Sequence, residues 1–166
     1  AGIVDVNSKY GNYAMTLFSS GNEWDTSRMY TIAKDDAAST AESGTLINGQ
    51  GDNIPAPDAG LYLFDVSLKE LTYKTYALGD NIYCYGIEND NSFNPIASTG
   101  TAGEYSGTIT LATDSKWGAQ FYIENAWTAF YGGSDGKLYY NGDGIMLKAG
   151  TYTITVNLID GTYSAV

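Results

Sequence analysis

Ala149-Gly150-Thr151-Tyr152-Thr153-Ile154-Thr155-Val156-Asn157-Leu158 decides how the chain is read. Its Tyr, Ile, Val and Leu share one parity and its Thr and Asn the other, the period-two pattern of a half-buried antiparallel strand. Ninety positions earlier stands Ala59-Gly60-Leu61-Tyr62-Leu63-Phe64-Asp65-Val66-Ser67-Leu68, and both copies run on to Thr-Tyr, at Thr72-Tyr73 and Thr162-Tyr163. Seven of the fifteen aligned positions are identical and the inward parity is kept, so one β unit is written twice. A related Gly-Asp-x-Ile precedes each copy, at Gly51–Ile54 and Gly142–Ile145. Farther upstream Phe18 precedes Trp24 by six residues, as Phe121 precedes Trp127.

Alternation also predicts strands over 105–112, 119–125, 81–87 and 13–18. Turn formers separate them, among them Gly132-Gly133-Ser134-Asp135-Gly136 and Asn141-Gly142-Asp143-Gly144. The stretch 35–43 holds Ala but no apolar stripe, and reads as a surface loop rather than a helix. The expected fold is all-β, an immunoglobulin-like antiparallel β-sandwich in two related units. Residues 1–78 form a partial sandwich unit and 79–166 a complete one. The first copy lacks an equivalent of the opening strands, and Ile3–Val6 is a candidate substitute edge.

With 166 residues and 43 % apolar side chains the chain is long enough to bury a core. Its 19 acidic and 8 basic residues give a net charge of −11, which argues against nucleic acid and anionic membrane surfaces as partners. Without any His, a Ser-His-Asp triad or a His-ligated zinc cannot be built. Cys84, the single cysteine, forms no internal disulfide and reads as a small buried residue. No apolar run approaches a membrane span, and the start is not a signal sequence; an exported protein would carry its targeting segment outside these residues.

Paired carboxylates hydrolyse glycosides without His, and Glu23, Asp25, Glu88, Asp90, Glu104 and Glu124 are candidates. Most acids in so acidic a chain are solvated surface, however, and no enzyme activity is expected. The oxygen-rich stretches 88–92 and 134–136 resemble calcium loops but also have the composition of ordinary turns, so no metal or cofactor is expected. Aromatic residues near turns carry more information: Trp24, Trp117, Trp127, Tyr131, Tyr139 and Tyr140. A flat ring accepts the C–H face of a pyranose, while nearby polar groups satisfy its hydroxyls. Trp127, followed by Tyr131, a Gly-rich turn and Lys137, is the most suggestive group; the competing reading places these rings in the core.

The ordered set Trp127-Thr128-Ala129-Phe130-Tyr131-Gly132-Gly133, Leu138, residues 141–145, residues 149–158 and Tyr163 resembles the repeating domain of SusE/SusF outer-membrane lipoproteins. The resemblance covers residues 79–166 well and 13–78 in part. It implies a non-catalytic carbohydrate-binding module at a Gram-negative cell surface, holding a neutral polysaccharide or oligosaccharide beside an outer-membrane glycan transporter. The membrane would be reached only through a lipid anchor. Carried across, Trp127 is the stacking platform, Tyr131 its neighbour and Lys137 a hydroxyl donor; Trp117, one of the aromatic residues near turns, is a further ligand-binding candidate apart from the resemblance. The family's second platform is missing from Asn89-Asp90-Asn91-Ser92-Phe93-Asn94-Pro95, where Phe93 is the substitute. A structural or adhesive spacer without sugar binding is the alternative.

Overall fold

The computed structural model describes residues 1–6, 15–18, 25–87 and 91–166. Every regular element among them is a β-strand, in antiparallel pairing throughout. The chain divides into two compact units, Ala1–Ala77 and Leu78–Val166.

The first unit holds β1 (Gly2–Val6), β2 (Leu17–Phe18), β3 (Met29–Thr31), β4 (Ser43–Thr45), β5 (Ile47–Asn48), β6 (Gly60–Ser67) and β7 (Thr72–Ala77). One sheet runs β1-β6-β7-β4 and the other β2-β3-β5. Leu46 alone separates β4 from β5, so a single stretch pairs with β7 and then crosses to β3. Between the sheets Ile32, Leu46, Ile54 and Tyr73 form a buried cluster, with Met15, Leu17, Tyr30, Val66 and Leu71 packed against it. Residues 35–42, before β4, are an irregular loop in which the Asp36 carboxylate accepts from the Ala38 amide and the Ser39 hydroxyl.

The second unit holds β8 (Asn81–Tyr85), β9 (Phe93–Ser98), β10 (Glu104–Leu111), β11 (Gln120–Tyr122), β12 (Phe130–Ser134), β13 (Lys137–Tyr140), β14 (Gly150–Asn157) and β15 (Thr162–Ala165). Hydrogen bonding closes them into a ring, β10-β14-β15-β13-β12-β11-β8-β9. The ring is thinnest where β13 meets β15, at the single pair Lys137–Thr162, and β9–β10 and β11–β12 are held by two pairs each. By contrast β10 and β14 pair along their full length, from Glu104–Asn157 to Leu111–Gly150. Inward parity buries Ile82, Cys84, Ile96, Ile109, Phe121, Leu138, Ile154 and Val156, which supply the apolar driving force for closure.

The two Gly-Asp-x-Ile stretches have the same surroundings. Ile54 bridges Met15 as Ile145 bridges Ala119, and the Asp52 carbonyl accepts from the Ile32 amide as the Asp143 carbonyl accepts from Gly133. A Cβ on Gly51 would strike the Ile32 carbonyl, and one on Gly142 the Gly132 carbonyl. The motif therefore begins with glycine because two backbones pass there in direct contact. Register also shifts one sequence alignment: with Met15 in the place of Ala119, Leu17 takes the place of Phe121 and Phe18 that of Tyr122. Phe18 is thus not the counterpart of Phe121; Trp24 lies outside the described residues.

Gly132 and Gly133 differ from their expected turn role, since both are inside β12. Side chains there would strike the carbonyls of Asp143 and Lys137 respectively. The turn itself is only Asp135-Gly136, both at positive φ (52° and 77°), the geometry of a two-residue hairpin connection.

Candidate functional site

The outward parity of the β9-β8-β11-β12 sheet is aromatic. Tyr85 stands on β8 opposite Phe93 of β9 and Gln120 of β11, and Tyr122 of β11 stands opposite Phe130 of β12. Cross-strand neighbours on one face are within side-chain reach, so the rings meet. Phe93 lies 5.1 Å from Tyr85 and 5.2 Å from Tyr122, and Phe130 stacks on Tyr122 at 5.1 Å.

Trp127 caps this cluster. It sits in the β11–β12 connection, whose ends are drawn together by the Ile123 amide donating to the Ala129 carbonyl (3.0 Å). Ile123 and Ala129 are buried there as anchors. The indole then meets Tyr85, Phe93 and Tyr122 at 4.4, 5.4 and 5.7 Å, at steep interplanar angles of 66°, 79° and 86°. Such edge-to-face contacts follow the quadrupoles of the rings and hold the indole in one orientation. Even so, 64 % of Trp127 remains exposed.

The supporting phenols are themselves fixed. Tyr85 donates to Asn91 Oδ1 (2.7 Å) and Tyr122 to Gln120 Oε1 (3.4 Å), while Gln120 Nε2 donates to the Gly142 carbonyl (3.4 Å). Burial raises the Tyr122 hydroxyl above the ordinary tyrosine range, with Tyr85 adding to the effect, so it stays a neutral donor. Polar groups border the rings: Asn91, exposed, accepts from Tyr85, and Glu124 and Asn125 lie exposed in the Trp127 connection, whereas Asn94 stands opposite Cys84 on the other parity of β9.

The five residues singled out by sequence separate into distinct places. Trp127 and Phe93 belong to the cluster, Phe93 half-buried beneath the indole. Trp117 is 48 % exposed but precedes β11 where Trp127 follows it, so the two indoles stand at opposite ends of that strand. The Lys116 ammonium sits 4.7 Å from the Trp117 ring, a cation–π contact. Tyr131 requires a correction. Its parity on β12 is that of Phe121, so it turns inward, 6 % exposed, with its ring 5.7 Å from Tyr140. It is a core residue and presents no face to a ligand. Lys137 is also displaced from the group: it opposes Ser134 at the hairpin tip, four residues along β12 from Phe130, or about 13 Å of strand.

Sequence reasoning missed Tyr85 and Tyr122. The signal was present, since each lies on the parity opposite the buried Cys84 and Phe121, and aromatic residues on an outward parity need a partner. Cys84 is buried, and burial pushes its thiol up to about 12. The candidate carboxylates Glu23, Glu88 and Asp90 lie outside the described residues. Among the described residues no cluster of three potential metal-ligating side chains occurs, and no helix is long and apolar enough to cross a membrane.

Comparison with known proteins is informative for the first unit alone. A family model described as a domain of unknown function (DUF8037) matches residues 1–77, the span of that compact unit. No curated protein and no solved structure matches the chain.

Proposed function

We propose that the second unit is a non-catalytic carbohydrate-binding module that holds a neutral glycan on the Trp127 indole. One observation carries this reading: an indole clamped by three rings yet 64 % open to solvent. An isolated exposed tryptophan would lose side-chain freedom on binding, whereas a clamped one has already lost it, which lowers the entropic cost of stacking. Asn125, Glu124 and Asn91 supply amide and carboxylate groups suited to sugar hydroxyls around the platform. On this reading the unit is an immunoglobulin-like sandwich, β10-β14-β15 against β13-β12-β11-β8-β9, laced where β13 meets β15 and β9 meets β10. Its resemblance to SusE/SusF domains further suggests a Gram-negative cell-surface setting, next to a glycan transporter.

Affinity electrophoresis through gels containing soluble neutral polysaccharides tests the proposal. The parent chain is expected to be retarded by at least one of them. Trp127→Ala is expected to lose about 2 kcal/mol or more of binding, about thirtyfold, as hot-spot aromatics do. Removal of Trp127 also loses three ring contacts, so the unfolding midpoint is expected to fall modestly, and binding is compared at a temperature where both proteins are folded. A parent that no glycan retards, or a Trp127→Ala variant retarded equally, would leave the architectural spacer as the better reading.

A further inference from the structure

The second unit exposes two indoles, and the charges around them differ. An indole face is the negative part of the ring quadrupole, so an open one attracts a cation. At Trp117 the chain supplies that cation itself, the Lys116 ammonium 4.7 Å from the ring. Trp127 is the more open of the two, 64 % against 48 %. Residues 78–166 carry three lysines and no arginine, and none of the three stands at Trp127. Lys116 is engaged by Trp117 at the other end of β11, and Lys148 is held by Asp114 at 2.8 Å. Lys137 opposes Ser134 at the hairpin tip, about 13 Å of strand from Phe130.

The charged group that the Trp127 connection presents is a carboxylate. Glu124 and Trp127 both lie exposed in the stretch closed by the Ile123–Ala129 hydrogen bond. They are three residues apart, so their Cα atoms are separated by no more than about 11 Å, and a ligand lying over the indole is within reach of the Glu124 side chain. Among the described residues no ion pair engages Glu124. The nine Asp and Glu side chains of residues 78–166 add a background field of the same sign.

We infer that the glycan preferred at this platform carries a protonated amino group, which lies over the Trp127 indole while Glu124 supplies its counter-charge. The inference rests on the carbohydrate reading above and deepens it into an order of ligands: amino-bearing saccharides first, neutral ones next, uronate-bearing ones last. A cation–π contact and a single solvated ion pair are each weak at an exposed site, so the preference is a matter of several-fold and not of all or none. A neutral sugar keeps the stacking contact and forgoes only these two additions. A uronate carboxylate meets a like charge, with no lysine at hand to offset it.

The test titrates the full chain with a glucosamine tetramer, the same tetramer N-acetylated, and a galacturonate tetramer, at about pH 5.5, where free amines are protonated and ordinary carboxyls ionised. Binding is followed by NMR at the Trp127 indole N–H, assigned by its loss in Trp127→Ala. The amine form is expected to bind about fivefold more tightly than the acetylated form, and the uronate more weakly than either. Glu124→Gln is expected to cut that preference to about twofold and to leave binding of the acetylated tetramer unchanged. Salt at about 1 M should narrow the preference of the parent in the same way. Equal binding of the amine and acetylated forms overturns the inference and leaves the carbohydrate reading standing. So does a preference that Glu124→Gln keeps in full, since the field of the whole unit then sets it, or one that survives Trp127→Ala. If none of the tetramers shifts the Trp127 signal the inference also falls, and retardation by neutral polysaccharides then decides the carbohydrate reading separately.

Discussion

The β6–β7 and β14–β15 hairpins turn in the same way with different residues. In each, the first position accepts the amide three residues on: Ser67 Oγ from Glu70 (3.1 Å) and Asn157 Oδ1 from Asp160 (3.0 Å). Both then place their last turn residue at positive φ, but it is Leu71 (52°) in one and Gly161 (62°) in the other. Side-chain bonding to the backbone stabilises this turn whether the accepting oxygen belongs to a hydroxyl or to an amide, so that part of the pattern tolerates substitution. The left-handed residue tolerates it less, and Leu71 is kept there by packing against the Ile32–Leu46–Ile54–Tyr73 cluster. Equal geometry thus conceals unequal strain. The same lesson holds where β1 pairs with β6 as β10 pairs with β14: Gly2 and Val4 face Phe64 and Tyr62 as Gly107 and Ile109 face Ile154 and Tyr152, yet Ile109 is 7 % exposed and Val4 40 %.

The largest expected effect should be common to both units. Gly51→Ala and Gly142→Ala each push a methyl group into a main-chain carbonyl, of Ile32 and of Gly132, and main chain within a sheet cannot move aside. Each is expected to cost about 3 kcal/mol, at the upper end for over-packing, read from urea denaturation. A large loss at one position and none at the other would break the correspondence between the two motifs.

Next comes a substitution that should divide the units. Gly107→Val drives a side chain into Ile96, itself 1 % exposed and without room to swing, and should cost about 2 kcal/mol. The matching Gly2→Val meets open space and should stay within about 0.5 kcal/mol of the parent. Comparable losses at both positions would mean that the interior over β1 is already filled. This asymmetry was partly legible in the sequence, because the first copy lacks anything like 81–98. The reason was not, since β10–β14, β15–β13 and β11–β8 pair residues distant in the chain, and alternation names a strand without naming its partner.

The candidate site was legible to a similar degree. Trp127 stood out as an indole in a polar connection. Tyr131 was misread because Gly132-Gly133 has the composition of a turn, whereas those glycines allow the main chain at Asp143 and Lys137 to approach β12 closely. Local composition reports conformational freedom, and here that freedom serves close packing rather than a bend.

A smaller effect separates the two turns. Gly161→Leu places a branched side chain at a φ of 62° and brings its Cβ to 3.3 Å from the Leu138 carbonyl, so a loss of about 1 kcal/mol is expected. Leu71→Gly relieves the same backbone strain but gives up an apolar contact with the cluster, and the two nearly cancel. Thermal unfolding of both variants checks this, and a marked loss from Leu71→Gly would show that packing there outweighs the strain.

The smallest effect concerns charge. In the first unit Asp36 is held below the ordinary aspartate range by the Ser39 hydroxyl and the Ala38 amide, both neutral donors. In the second, Asp114 is lowered first by its bond to the Lys148 ammonium (2.8 Å) and then by the Ala149 amide. Both carboxyls are more acidic folded than unfolded, so each stabilises its unit above the unfolded carboxyl range and loses that contribution as pH falls through its folded value. Salt should distinguish them. At about 1 M ionic strength the screening length shrinks to about 3 Å, which weakens an exposed ion pair but leaves hydrogen bonds to neutral donors in place. Carboxyl titration by NMR at low and high salt is therefore expected to show the Asp114 midpoint rising toward the ordinary value while that of Asp36 holds. Equal movement of both would mean that general screening, rather than Lys148, sets the acidity of Asp114.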